Sequence, residues 1–138
     1  MSALNKLMAR GIIPPLVHGI LDYPLAAVLL VLPLVLDFDN AAARWIAFGL
    51  GIGAAVLAVG TAWRTGIVKV IPPLLHGYTD ITVTVTLIAL PFIIGFESHT
   101  TALVFYLIVG GGALLAILLT RFEPRMHVEP AMRLRHAA

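Results

Sequence analysis

The amino-acid sequence predicts an all-α, polytopic membrane protein with four transmembrane helices arranged as two tandem two-helix repeats. Three observations carry this prediction: an apolar composition, four long apolar stretches, and an internal duplication. Of the 138 residues, 60% are hydrophobic and 12% are charged, and the mean hydropathy is +1.01. A soluble domain is closer to half apolar and a quarter charged, so the composition favours a membrane protein and excludes a disordered chain.

Four apolar stretches are long enough to cross a bilayer, which takes roughly 20 helical residues. They run from about residue 15 to 36, 45 to 62, 73 to 96 and 102 to 120. The connections between them are short, so consecutive helices are predicted to run antiparallel. Residues 82–86 alternate like a strand, but a lone strand in lipid would leave its backbone unpaired, so a helix is predicted there too.

The basic residues are distributed unevenly along the chain. Eight of the nine Lys and Arg residues lie in the N-terminal segment, the middle connection and the C-terminal tail. Only Arg44 lies on the opposite side, with Asp37, Asp39 and Glu97. Because Lys and Arg in short loops favour the cytoplasm, both termini are predicted to be cytoplasmic. The first apolar run is too long for a signal-peptide core, so no cleavable signal is expected.

The first and third spans are copies of each other. Residues 13–22 read IPPLVHGILD, and residues 71–80 read IPPLLHGYTD, 58 positions later. The second and fourth spans match at an offset of 59, where Thr61 corresponds to Thr120. The repeats are predicted at about 11–65 and 69–121, with 122–138 as a cytoplasmic tail. Since each repeat holds an even number of spans, the repeats are related by a pseudo-two-fold axis along the membrane normal.

This repeat unit resembles the SPW-repeat family of small bacterial integral membrane proteins. The resemblance rests on PPLxHGxxD, a later Leu-Pro pair, a Gly/Ala-rich span and a closing threonine, and it covers about residues 10–121. The Ser-Pro-Trp motif is degenerate, because residues 32–34 read LPL and residues 90–92 read LPF. With the charge pattern, the resemblance implies a multi-pass protein of the bacterial inner membrane. It implies no catalytic residues.

Two His/Asp pairs form the candidate polar site inside the spans. His18 with Asp22, and His76 with Asp80, are four residues apart and therefore share a helix face. An ionised Asp within a span costs roughly 2.5–3.5 kcal/mol on insertion scales, so pairing is expected. If the first and third helices face each other, crossed or local His–Asp pairs would satisfy all four side chains. Thr84 continues this stripe and is predicted to bond back to its own helix.

Three interpretations of the His/Asp site remain open at the level of sequence. The favoured one is a buried structural tetrad that fixes helix packing, without a metal or cofactor. The second is proton or ion conduction through the cluster. The third is haem b bound by His18 and His76, with Gly19 and Gly77 making room for the porphyrin.

Prolines and small residues predict local features of the spans. Three prolines inside spans are expected to bend their helices: Pro24, Pro33 and Pro91. Small residues are predicted to allow close helix packing or self-association: Gly49, Gly53, Gly112 and Ala116. Four aromatic residues near span ends have the placement of a membrane-interface belt: Trp45, Trp63, Tyr106 and Phe122.

The sequence lacks the motifs of common enzyme classes. It contains no cysteine, no phosphate-binding glycine loop, no Ser/His/Asp signature and no His-Glu-x-x-His. Nucleic-acid binding is not expected, because the basic residues flank spans and do not form a face. The sequence therefore predicts a non-enzymatic scaffold or accessory protein that contacts the lipid bilayer and binds a membrane-protein partner or a second copy of itself.

Overall fold

The computed structural model describes residues 11–122 and contains four α-helices in that range. They are α1 (Pro15–Val35), α2 (Ala41–Gly60), α3 (Pro73–Ile94) and α4 (Thr100–Leu119). All four are long and apolar enough to cross a membrane, and the described residues form no strand. The predicted fold class is confirmed. Lys6, Arg10 and nearly all of the predicted tail lie outside the described residues.

Residues just before each helix explain where it begins. Pro15 and Pro73 occupy the first helical positions of α1 and α3, where a missing N–H leaves nothing unsatisfied. The second helix begins four residues earlier than predicted because the Asn40 side chain caps it, accepting a 2.9 Å hydrogen bond from the Ala43 amide. Arg44 therefore lies in the first turn of α2 and not in a loop.

The helices continue through the three prolines that were predicted to bend them. Pro24 lies in the middle of α1, whereas Pro33 and Pro91 lie in the last turns of α1 and α3. The Pro33 and Pro91 carbonyls accept hydrogen bonds from the amides of Phe38 (3.4 Å) and Phe96 (2.9 Å), which closes the helix ends. Pro33 and Pro91 thus lie at helix ends, and the predicted bends stay predictions.

The two repeats join each other through matching backbone bridges. Ile13 pairs with Thr120, and Thr61 pairs with Ile71. These are equivalent contacts, because Ile13 corresponds to Ile71 and Thr61 corresponds to Thr120 in the repeat alignment. Each bridge links the start of one repeat to the end of the other. The four helix ends that meet here form what we call the tetrad end of the bundle.

The opposite end, the aromatic end, is a packed apolar core. Its buried centre comprises residues from all four helices and from both short connections: Leu29, Phe38, Ala43, Ala47, Leu87, Phe96, Ala102, Phe105 and Tyr106. Tyr106 is fully buried, and its hydroxyl donates a 2.8 Å hydrogen bond to the Ala43 carbonyl. The expectation that Tyr106 belongs to an interface belt was wrong, because its side chain points into the bundle, where its hydroxyl has a partner.

Helix packing within each repeat uses a different pair of glycines from those predicted. A Cβ added at Gly51 or Gly110 would lie 2.8 Å from a side-chain carbon of Leu30 or Ile88, so both helices approach closely there. A Cβ at any of the predicted packing glycines would meet no described neighbour within 4 Å: Gly49, Gly53 and Gly112. Gly49 and Gly53 are exposed, whereas Gly112 and the half-buried Ala116 line a cavity inside the bundle. Their role in self-association stays a prediction.

Candidate functional site

Four ionisable side chains meet at the tetrad end, between the two repeats. His18 and Asp22 come from α1, and His76 and Asp80 come from α3. We call these four residues the tetrad. One ligand-type atom from each of them lies within 4.8 Å of the other three. The sequence prediction that both pairs would come together is realised in the structure.

Each histidine contacts both aspartates through its Nε2 atom. His18 Nε2 is 3.4 Å from Asp22 Oδ1 and 3.1 Å from Asp80 Oδ2. His76 Nε2 is 3.4 Å from Asp22 Oδ2 and 2.8 Å from Asp80 Oδ2. The local and the crossed pairings, which the sequence left as alternatives, therefore occur together. The tetrad is a closed ring of His–Asp contacts that joins one repeat to the other.

Two threonines hold the other nitrogen of each imidazole ring. Thr61 Oγ1 lies 2.6 Å from His76 Nδ1, and Thr120 Oγ1 lies 2.9 Å from His18 Nδ1. Each threonine hydroxyl also donates to a carbonyl one turn earlier in its helix, that of Leu57 or Ala116. A hydroxyl has one hydrogen, so a threonine that donates to its carbonyl accepts from Nδ1–H. In that arrangement both rings carry a proton on Nδ1 and present Nε2 to the aspartates.

Trp63 and Phe122 cover the tetrad from the end of the bundle. The Trp63 ring centroid lies 4.6 Å from that of His76, and Phe122 lies 5.3 Å from His18. Trp63 is 8% exposed and Phe122 is 4% exposed. Their assignment to an interface belt was wrong, because both rings pack on the histidines; Trp45, in contrast, is largely exposed.

The geometry disfavours haem at this site. Asp80 Oδ2 lies within 3.1 Å of both Nε2 atoms, in the space that a shared haem iron would occupy. The space beside the adjacent glycines, Gly19 and Gly77, is already occupied by residues of this chain. A Cβ at Gly19 would lie 2.3 Å from Thr65 Oγ1, and one at Gly77 would lie 3.2 Å from the Phe122 ring. The residues present therefore do not fit a porphyrin held between the two histidines.

Conduction through the described bundle is also disfavoured. A cavity of about 280 Å³ lies beside the tetrad, but its remaining walls are almost entirely apolar. Towards the aromatic end the core is closed by Leu29 and Leu87, each 1% exposed. Thr84 lines the cavity but donates its hydroxyl to the Asp80 carbonyl at 2.9 Å, as predicted. Beyond Thr84 the described residues provide no chain of polar groups.

Sequence reasoning found the tetrad and missed the residues that support it. Thr61 and Thr120 were noticed as a repeat match, without a role in the site. Trp63 and Phe122 occupy equivalent positions, 59 residues apart, directly after these threonines. Their position was the signal that could have identified them, because both lie just past a helix end at equivalent places in the two repeats. Only the fold shows that these connections turn back over the histidines.

These features define a helical, multi-pass membrane protein built from an internal repeat, with one buried polar cluster between its halves. The SPW repeat domain matches residues 16–120, so the chain belongs to the SPW repeat family. At the position of the family's Ser-Pro-Trp motif this chain keeps only the prolines, Pro33 and Pro91, and both are buried. No curated protein and no solved structure gives a significant match.

Proposed function

We propose that this chain is a non-enzymatic membrane protein, an accessory or scaffold component in which the tetrad holds the two repeats together. The observation that carries the proposal is the closed ring of His18, Asp22, His76 and Asp80, whose two crossed contacts, of 3.1 and 3.4 Å, link α1 to α3. A buried polar cluster of this kind fixes the alignment of the two helices that carry it, because any other alignment leaves polar groups unpaired in lipid.

The organisation of the described residues supports a role other than catalysis. Catalytic acids and bases must reach the group on which they act. Here the four tetrad side chains face one another, and the cavity beside them is otherwise lined by apolar residues and by Thr84, which bonds to its own helix. The described connections are short and fold onto the bundle, so no separate domain among them offers a second site.

The outer surface of α2 is the candidate contact for a membrane partner. Gly49, Ile52, Gly53 and Val56 are exposed and recur at helical spacing on one face. Two glycines on such a face allow another transmembrane helix to approach closely. We propose that this face binds a membrane-protein partner or a second copy, while the other exposed apolar faces contact lipid.

The orientation is part of the same proposal. Arg64, Lys69 and Arg121 lie at the tetrad end, whereas Asp37, Asp39 and Glu97 lie at the aromatic end. The positive-inside rule then places the tetrad end, with both termini, in the cytoplasm. In a bacterium this corresponds to the inner membrane.

Photo-crosslinking in intact membranes tests the partner proposal. A photoreactive amino acid replaces Val56, which is 63% exposed on the α2 face, or Val85, which is 52% exposed on α3 as the matched control. We expect a discrete protein adduct from position 56 only, and we expect Gly49→Leu with Gly53→Leu to abolish it. Equal adducts from both positions, or none from position 56, would overturn the proposed α2 contact.

A further inference from the structure

We propose that the tetrad is a binding site for one divalent transition-metal ion, and that Zn²⁺ is the ion its ligands and geometry fit best. This inference goes beyond the proposed function, because it states what holds the tetrad together and does not depend on a membrane partner.

The spacing of the ligand atoms approaches that of a tetrahedral zinc site. Zinc binds imidazole nitrogen and carboxylate oxygen at about 2.0–2.2 Å, so neighbouring ligands of a tetrahedral ion lie about 3.3–3.6 Å apart. The four Nε2–carboxylate distances in the tetrad are 3.4, 3.1, 3.4 and 2.8 Å. One ligand atom from each residue lies within 4.8 Å of the other three, so an ion at the centre would draw the more distant atoms closer together.

The hydrogen-bond pattern leaves the centre of the tetrad short of positive charge. A neutral ring with its proton on Nδ1 directs the Nε2 lone pair at oxygens that also carry lone pairs. His18 Nε2 has hydrogen-bond geometry towards Asp80 Oδ2, at 3.1 Å, but this bond needs a proton on Nε2. Asp22 Oδ2 and His76 Nε2 are buried and have no hydrogen-bond partner among the described residues. His76 is 1% exposed and Asp22 is 7% exposed. One cation between the four groups would turn these opposed lone pairs into ligands.

The charge balance also fits a divalent ion. Two ionised aspartates and two neutral histidines carry a charge of −2, which one divalent cation neutralises. Uncompensated charge is costly in the interior of a bundle, and most so within a membrane.

The groups that hold the two histidine rings match those found around metal-binding histidines. A histidine that binds a metal usually donates its other ring N–H to a fixed acceptor, which orients the ring. Thr61 and Thr120 provide this acceptor, and each is itself held by a backbone carbonyl. With four protein ligands and no open position, the site has the character of a structural zinc site.

The first experiment measures metal in the purified protein. The full chain carries an affinity tag without histidine, and the tail residues His127 and His136 are replaced by Gln in every sample. Mass spectrometry of gently solubilised protein should find about one zinc ion per chain, as four ligands for one ion require. Asp22→Asn with Asp80→Asn should lose at least about 90% of this zinc, because an amide is a poor zinc ligand. Asp39→Asn, at an exposed acid of the aromatic end, should keep it.

This double variant is chosen because it can fold without metal. An asparagine amide can donate to the Nε2 lone pair, which replaces the missing cation with hydrogen bonds. Equal zinc content in the double variant and in the unmodified tetrad would overturn the proposal.

A second measurement does not depend on any variant. The chelator-treated protein is titrated with Co²⁺, which gives strong visible absorption when bound in a tetrahedral site. We expect saturation at about one equivalent and displacement by Zn²⁺, since both ions accept the same ligands. Protein that contains no zinc and shows no such absorption would contradict the proposal. The crosslinking result at Val56 would be unaffected, so failure of this inference and failure of the proposed function remain distinguishable.

Discussion

The two ends of the bundle are held by different physical means. At the tetrad end, the repeats meet through ionisable side chains, threonine hydroxyls and two backbone bridges. At the aromatic end they meet through apolar packing in a shared core, for example with Phe38 of the first repeat against Phe105 of the second. In lipid, apolar packing gains little from the hydrophobic effect, since the bilayer is itself apolar. We therefore attribute the specificity of repeat pairing mainly to the tetrad end.

The largest effect is expected from removing one histidine of the tetrad. His76→Ala leaves Asp22 and the partly buried Asp80 with a single histidine, and leaving a buried carboxylate without its partner costs about 3–5 kcal/mol. Unfolding in detergent, followed by circular dichroism against denaturant, should show this loss. His99→Ala is the control, because His99 pairs with the exposed Asp39 and such pairs contribute at most about 1 kcal/mol. Equal losses of unfolding free energy in the two variants would contradict the larger contribution expected from the tetrad.

A smaller effect is expected from truncating the aromatic end. Phe96→Ala removes a buried ring that is 1% exposed. Within a membrane the main loss is the cavity left behind, about 24 cal/mol per Å³, or roughly 1–2.5 kcal/mol for the ring. The same unfolding assay should rank this variant clearly below His76→Ala. A larger loss for Phe96→Ala would mean that the apolar core contributes more to stability than the tetrad does.

The tyrosine hydrogen bond gives a finer test of the aromatic end. Tyr106→Phe removes the buried bond to the Ala43 carbonyl and should destabilise by about 1 kcal/mol. Tyr23→Phe removes a bond of the same length, 2.8 Å, to the Thr65 carbonyl in an exposed setting. Its loss should be smaller, because water can replace the partner. The check is to compare the unfolding midpoints of the two variants. Equal midpoints would mean that burial does not affect the contribution of the hydrogen bond.

The smallest effects separate the internal glycines from the outward ones. Gly51→Ala should destabilise, because the new Cβ would lie 2.8 Å from the Leu30 side chain. Gly49→Ala meets no described neighbour and should be neutral or stabilising by up to about 1 kcal/mol through helix propensity. The two variants lie two residues apart on one helix, so thermal midpoints compare them directly. A loss at Gly49 equal to that at Gly51 would contradict the described packing.

The sequence predicted the features that depend on periodicity and on the cost of burying charge. Four spans follow from hydropathy, and the pairing of His18 and Asp22 with His76 and Asp80 follows from the repeat together with the penalty for unpaired charge in lipid. The cap at Asn40 was not predicted, although Asn is a favoured residue just before a helix. Its position shows why the second helix begins earlier than hydropathy alone indicates.

The features that sequence reasoning missed depend on how connections fold in three dimensions. Trp63 lies at a span end, where an interface belt is the usual expectation. It is buried because the Thr61–Ile71 bridge turns the connection back over the tetrad. The glycines of the internal helix contacts could not be singled out for a similar reason. Small residues recur on more than one face of α2, and only the position of Leu30 shows that the internal face contains Gly51.

The central claim is that a divalent metal ion holds the tetrad end together. The most direct measurement is the thermal unfolding midpoint of the chelator-treated protein, in detergent, with and without added Zn²⁺. A ligand that binds only the folded state stabilises it by about 2.7 kcal/mol at 100 times its Kd. We predict that zinc raises the midpoint by several degrees in the unmodified tetrad and not in Asp22→Asn with Asp80→Asn. An unchanged midpoint in the unmodified tetrad would contradict the account.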